Sequence, residues 1–443
     1  MSRLQSSVTP LDQFYHRNHA LLRPAAEGES LAEWTLTVAV ESELANALDW
    51  KKWRQGTSSL ALSGKDIKQK YRKRRFAAAI ECAGNRRIEF NEERKTEGIE
   101  WDGGVIASLI WGGASLRGLL LDLGIPDPFE EAARAGKLDL LPPSEDSVRQ
   151  DGAAWAQDVH VHFISTEETQ ETDAGERYAA SISIATAMHP NHGCLLAYEH
   201  NGQPLTPAHG FPLRAVLPGI IGARWTKYLG KILISREANK SPAMRADYKD
   251  FKPPSDDPEE VARWIDTMST EGKHTDMKKR QEELEKLPPL QRLGISSAIA
   301  EPAEGEVVKP KKPVLRAKGY AVGHEGFPVS DVQVLLLHDL RPDTKASEFR
   351  VEASKAEDVQ WVSANLQSAL PEDGETASEY SFGWTLWHVD LPLSKEEHAS
   401  GKWALVARAA TAKQRQEQES AWNLRGFAQR GWPVVRGISF DLS

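Results

Sequence analysis

The chain reads as an α+β protein of two domains: a mixed α/β domain over residues 1–290, then an immunoglobulin-like β-sandwich over residues 291–443. Two observations carry this prediction. Residues 1 to about 250 alternate short apolar runs with glycine-containing turns and a few helix-like stretches. Beyond about residue 300, strand-length apolar runs follow one another, separated by Gly, Pro and acidic loops, as in an antiparallel sandwich. The length of 443 residues is ample for large cores, and 27% charged with 40% hydrophobic residues is ordinary for a soluble globular enzyme.

Taken in order, Trp34–Val40 is a strand by its alternation. Lys65–Arg75 carries seven basic residues in eleven and reads as a solvated basic face. Phe76–Ile80 is an apolar strand that runs into Cys82-Ala83-Gly84-Asn85-Arg86-Arg87, so the thiol falls where a strand gives way to a turn. Asp127–Arg149, with Pro142-Pro143 and many charges, reads as a surface insertion. Val159–Ile164 is a strand with His160 and His162 on one face; two such histidines can chelate a metal, but no third ligand stands nearby. Pro258–Lys286 follows Pro253-Pro254 and shows Val261, Trp264, Ile265 and Met268 at helical spacing, and its charged end, Lys278–Lys286, reads as a solvated helix. The sandwich strands are Val314–Val322, Asp331–His338, Phe349–Ala353, Trp384–Asp390 and Ala404–Ala410. There is no internal repeat, Gly-rich phosphate loop or dinucleotide fingerprint.

Composition narrows the partners. A net charge of −9 argues against general nucleic-acid affinity. No stretch approaches the roughly 18 apolar residues of a membrane span. Met1–Pro10 lacks a basic segment followed by an apolar one, so no secretory signal is expected. Cys82 and Cys194 are the only cysteines, which makes a reducing compartment the default. The terminal Phe440-Asp441-Leu442-Ser443 is not a peroxisomal tripeptide. The expected location is the cytosol, with the peroxisome and the mitochondrial intermembrane space left open.

Two constellations carry chemistry. Around Cys82, small Ala83 and Gly84 leave room for a bulky group. Arg86 and Arg87 add positive charge that favours thiolate, the form that attacks electrophiles or binds soft metals. The alternative is a structural cysteine beside a solvated arginine pair. Further on, His209-Gly210-Phe211-Pro212-Leu213-Arg214 follows a turn and leads through Gly222-Ala223-Arg224 to Lys227. Imidazole, guanidinium and ammonium groups converging around glycines suit a phosphate, although ordinary surface basics could give the same pattern.

Glu81-Cys82-Ala83-Gly84-Asn85-Arg86-Arg87 resembles the molybdenum-ligating loop of the sulfite oxidase family, which shares its catalytic domain with eukaryotic nitrate reductases. Leu195–Glu199, Asn201–Leu205, His209–Arg214 and Pro218–Arg224 resemble one continuous block of that family. Phe14-Tyr15-His16-Arg17-Asn18-His19 is similar to its Phe-Phe-x-Arg-Asn-His, with Tyr15 departing from the second Phe. Asp247-Tyr248-Lys249 and Trp422-Asn423-Leu424-Arg425-Gly426 resemble two further signatures, and Trp101 lies nineteen residues past Cys82, where the family has a pocket tryptophan. The likeness runs from about residue 11 to 440 and is weakest at 127–155, 236–246 and 340–380.

The resemblance implies that Cys82 ligates molybdenum and that His209, Arg214 and Lys227 hold the molybdopterin phosphate, with Asn18 and His19 facing the cofactor. It implies oxidation of sulfite to sulfate by oxygen-atom transfer: Arg17, Arg87 and Arg425 surround the anion, Tyr248 donates a hydrogen bond and Trp101 walls the site. It implies a homodimer formed through the C-terminal sandwich. No haem or flavin segment is visible, so electrons are expected to pass to oxygen or to an external acceptor such as a cytochrome. The rival readings are nitrate reduction on the same scaffold, where a methionine usually replaces Arg425, turnover of another compact anion, and a non-catalytic molybdopterin-binding dimer.

Overall fold

The computed structural model describes every residue except 1–6, 20–21, 25–28, 49, 51–52, 54–58, 139–143, 169–174, 340, 342, 358–359, 369–381, 399 and 443. Alternating apolar residues make Thr35–Val40 a strand, β1, with Leu36 and Val38 fully buried. Its sheet runs β2 (Ser59–Ser63), β1, β10 (Leu229–Ser235), β5 (His160–Glu168), β6 (Arg177–Ser183); β1 and β10 pair in parallel and the other neighbours antiparallel. A second, antiparallel sheet runs β3 (Lys73–Glu81), β4 (Ile106–Ser115), β7 (Leu195–His200), β8 (Gln203–Pro204), with β9 (Arg214–Val216) also on β7. One core joins the two sheets through Phe76, Trp111, Phe163, Trp225 and Ile232. Each such fully buried side chain contributes about 2 kcal/mol of hydrophobic stabilisation. Trp111 also satisfies its indole N–H on the Ala78 carbonyl at 3.1 Å, locking β4 against β3.

The C-terminal part holds two facing sheets. One runs β11 (Ser296–Glu301), β13 (Val314–Val322), β17 (Thr385–Pro392), β16 (Asn365–Ser368). The other runs β12 (Val307–Val308), β19 (Val434–Phe440), β18 (Lys402–Thr411), β14 (Val329–Asp339), β15 (Val362–Ser363). Leu315, Ala317, Val332, Val334, Trp387 and Leu405 fill the space between them, as an aligned sandwich requires. The first two sheets end at residue 235 and the sandwich begins at 296, so the division between domains falls in this interval.

The two parts are joined by backbone. Phe382 accepts from the Ala79 N–H and donates to the Ala77 carbonyl, both at 2.9 Å, so a residue of the C-terminal part lies along β3. The Trp422 indole likewise donates to the Arg94 carbonyl at 2.8 Å.

Several expectations need correction. Phe349–Ala353 is not a strand but the middle of a helix, Ala346–Lys355: Ala346, Phe349, Arg350 and Ala353 are buried at helical spacing. Pro258–Lys286 forms two helices, Pro258–Met268 and Met277–Lys286, capped by the Asp257 and Asp276 carboxylates. The second is not merely solvated, since Arg280 and Leu284 are buried. Asp127–Arg149 is not only surface, because Phe129 and Val148 enter the main core; Pro142-Pro143 lies outside the described residues. In the basic stretch, Lys65, Lys68, Lys70, Arg72, Lys73 and Arg74 are exposed. His162 is bonded through Nε2 to the Glu237 carbonyl at 2.7 Å, and no metal-ligand cluster of His, Cys, Asp or Glu occurs among the described residues.

Candidate active site

The end of β3 fixes the cysteine loop. The Cys82 N–H makes a last ladder bond to the Val105 carbonyl at 3.0 Å, and a turn follows. Asn85 holds that turn: its oxygen accepts from the Val105 N–H at 3.1 Å, and its amide donates to Glu81 and to the Tyr320 hydroxyl, each at 2.9 Å. Glu81 in turn meets Arg430 at 2.8 Å, both side chains buried. Arg86, itself buried, adopts φ 63° and points away from the thiol, to half-buried Glu89 and the Gly431 carbonyl. Arg87 takes the other direction, threading between Gly84, Gly98 and Gly426. A Cβ at any of the three would come within 2.5, 2.7 or 2.5 Å of its side chain. Its guanidinium donates to the Ile99 carbonyl at 2.8 Å and lies over the Phe427 ring.

The thiol corrects one expectation. Burial raises the Cys82 pKa and outweighs the opposing effects of a Gly84 backbone bond, Arg87 and Arg17. Arginine charge alone does not make this thiol a thiolate; a metal cation bound here would favour that form.

A cradle opens on one side of Cys82, lined by Phe14, Tyr15, His16, Arg17, His209, Arg214, Gly222 and Lys227. The His209 ring stacks on Phe14 with centroids 3.9 Å apart, and its Nδ1 bonds the Thr206 hydroxyl at 2.7 Å. Its Nε2 is buried with no partner among the described residues. Burial, with Arg214 and Lys227 nearby, lowers His209 to about 3. The Lys227 ammonium donates to the Ala208 carbonyl at 2.6 Å, the Asn18 side-chain oxygen at 2.5 Å and the Arg17 carbonyl at 3.2 Å. Burial and the neighbouring guanidiniums depress it well below its ordinary value. Arg214 is fully buried and donates to the His209 and Trp225 carbonyls at 2.9 and 3.0 Å, so it braces His209 from behind as well as lining the cradle. A Cβ on Gly222 would approach Ile80 and the Glu81 carbonyl at 3.0 and 3.1 Å, so this wall is closely packed. A soft thiol, an orphaned imidazole nitrogen and under-neutralised cations form a donor set that fits a metal-bearing, phosphorylated pterin.

On the other side of Cys82 lies a cleft of about 730 Å³, sharing Arg17, His19, Cys82 and Tyr248 with the cradle. A single π-helical turn, Ala243–Asp247, delivers Asp247 and Tyr248 to it. The Tyr248 hydroxyl is bonded to the His19 imidazole, and its ring stacks on Phe427 at 5.2 Å. Trp101 and Ile99 form one wall. Arg425 enters from the C-terminal part and bonds Asp247, with Glu97 3.8 Å away. Ten of the eleven site residues expected from the sequence line the cradle or the cleft, and the eleventh, Asn18, lines an adjoining pocket that shares Arg17, His19, Gly222 and Lys227 with the cradle.

Sequence reasoning assigned no role to His16, Glu97, Asp247 or Arg280, all of which line the cavities. Asp247 was adjacent to a marked tyrosine, and Arg280 and Leu284 share a helix face; Glu97 gave no local signal.

Comparisons with known proteins show what the whole chain resembles. The oxidoreductase molybdopterin binding domain family matches residues 30–243, and the Mo-co oxidoreductase dimerisation domain family matches residues 347–436. The sulfite oxidase of Arabidopsis thaliana is 29% identical over 434 residues, covering 98% of this chain and 88% of the relative. The mitochondrial sulfite oxidase of Macaca fascicularis is 30% identical over 384 residues, 86% of this chain and 55% of the relative, so the chain spans about half of that protein. The crystal structure of the sulfane dehydrogenase SoxCD from Paracoccus pantotrophus superposes with a TM-score of 0.61 at 16% identity, over 97% of this chain and 81% of that one, which shows a shared fold.

Proposed function

The chain belongs to the sulfite oxidase family of molybdopterin-binding oxidoreductases, and from that premise we propose that it oxidises sulfite to sulfate. The observation that carries this reading is the position of Cys82, at the shared floor of a cofactor cradle and an arginine-lined cleft. When bound, a molybdenum–molybdopterin centre supplies oxygen-atom transfer and a two-electron redox couple.

The residues of the chain divide the remaining work. Cys82 offers the soft ligand. Lys227, Asn18 and His209 offer donors to the pterin and its phosphate, with Arg214 bracing His209. Arg17 and Arg87 present guanidinium forks to a small oxyanion, and three glycines leave the space that the Arg87 side chain occupies. Tyr248, fixed by Phe427 and His19, holds a hydroxyl proton where it can be donated to the anion. Trp101 limits water on the cleft side. Overall, sulfite and water yield sulfate, two protons and two electrons. The electrons pass, in this proposal, to oxygen or to an external acceptor such as a cytochrome.

The test is sulfite-dependent reduction of ferricyanide by molybdenum-quantified holoenzyme, run beside nitrate reduction by a reduced dye. Sulfite turnover without nitrate turnover is the expected result. Nitrate turnover alone would overturn the reading.

A further inference from the structure

The cleft carries more charge than a sulfite site needs, and most of it is cancelled in place. Arg425 bonds Asp247. Arg245 pairs with Glu285 at 3.1 Å on the exposed rim. Arg280 grips Glu97 with two hydrogen bonds, 3.0 and 2.7 Å, and the Glu97 carboxylate also accepts from the Thr270 N–H at 2.7 Å. Both members of this pair are close to fully buried, with side chains 6% and 11% exposed. Among the described residues no carboxylate pairs with Arg17 or Arg87, whose donors go to the Asn18, Ile99 and Gly426 carbonyls. The uncancelled charge of the cleft is therefore that of two guanidiniums, equal and opposite to a dianion.

The pivot is Glu97. It stands between Arg280 and Arg425, 2.7 Å from the first and 3.8 Å from the second. Burial alone would raise its pKa, but the bonds from Arg280 and Thr270 prevail and keep it ionised. Arg280 comes from the helix Met277–Lys286, none of whose residues lines the cradle. We propose that Arg280 is a positioning residue for substrate charge: by neutralising Glu97 it preserves the two-charge excess that selects a dianion over a monoanion. Without Arg280, Glu97 would offset one of the guanidiniums in a partly dry cleft, where a charge at this distance acts strongly. The inference rests on the sulfite reading and deepens it, because sulfite near neutral pH approaches a dianion while nitrate is a monoanion.

The experiment compares four holoenzymes: the native protein, Arg280→Met, Arg280→Lys and the double variant Glu97→Gln/Arg280→Met. Sulfite KM and kcat are measured across ionic strength, and inorganic sulfate binding is measured by titration calorimetry, which needs no turnover. Arg280→Met is expected to raise KM and weaken sulfate binding roughly tenfold, to change kcat far less, and to flatten the salt dependence of kcat/KM. Arg280→Lys and the double variant restore the charge count and are expected to recover native sulfate affinity and salt dependence. If either is as impaired as Arg280→Met, or if Arg280→Met is unchanged, the proposal is wrong. Should Arg280→Met fail to fold, the lysine and double variants still decide, since loss of sulfate binding in either overturns it. A native enzyme that binds sulfate with this pattern but does not oxidise sulfite would leave the charge assignment standing and remove the functional reading.

Discussion

The carboxylate of Glu81 meets the guanidinium of Arg430 at 2.8 Å with both side chains buried, and it does so one residue before Cys82. The C-terminal segment thus braces the cysteine loop through an ion pair 349 residues apart in sequence. Removing one member strands the other in a medium that cannot hydrate it. Glu81→Gln is expected to lose about 3 kcal/mol of stability, read from denaturant unfolding of the holoenzyme. A change within experimental error would show that Arg430 finds another partner.

Tyr248 separates ring from hydroxyl. Its ring is held by Phe427 and its hydroxyl by His19. Tyr248→Phe should therefore fold normally and retain the cofactor while kcat/KM for sulfite falls roughly tenfold, as for loss of one donor to a charged group. Unaltered kinetics would place the hydroxyl outside the reaction.

Arg425 is paired with Asp247, so its removal does two things at once: it deletes a cation and unmasks an anion. Arg425→Met should raise sulfite KM at least about tenfold. Arg425→Met/Asp247→Asn, with the unmasked carboxylate also gone, should fall between that variant and the native enzyme. Equal KM values in the two variants would show that Asp247 exerts no field on the substrate.

The pH dependence of the cofactor-free protein follows from His209. Its pKa is lowered from 6.5 to about 3, chiefly by burial. Between these values the unfolded chain binds a proton that the folded chain does not, so this stability is present above pH 6.5 and is lost as pH falls toward 3. His189, lowered from 6.5 to about 4 by burial, acts in the same sense. Unfolding free energy is expected to fall by up to about 1.4 kcal/mol per pH unit for each such histidine. His209→Gln should remove one proton's share of that slope; a slope identical to the native protein's would mean that His209 is not buried neutral.

Legibility from sequence followed the range of the interaction. Phe76–Ile80 and the turn after it were readable because an unbroken apolar run and small residues write both in one place. Phe349-Arg350-Val351-Glu352-Ala353 alternates over only five residues, and a strand and a helix face are indistinguishable at that length. What decided for the helix was burial of Ala346 and Arg350, the latter bonded to the Trp432 carbonyl and Glu419. Arg280 looked solvated because charged residues usually are; its partner Glu97 lies 183 positions away, and no local pattern announces such a pair. Arg86 and Arg87 are neighbours with opposite fates, set by one left-handed backbone residue.

The two backbone bonds from Phe382 to Ala77 and Ala79 bear on how far the molecule can be divided. They occupy part of an edge strand that the catalytic half cannot cover by itself. A fragment ending at residue 290 would keep the thiol and most of the cradle, yet it would bare that edge of Lys73–Glu81 and invite pairing between copies. The catalytic half is therefore not a portable cassette, and transplanting the site into another scaffold means carrying Phe382 or a substitute for it.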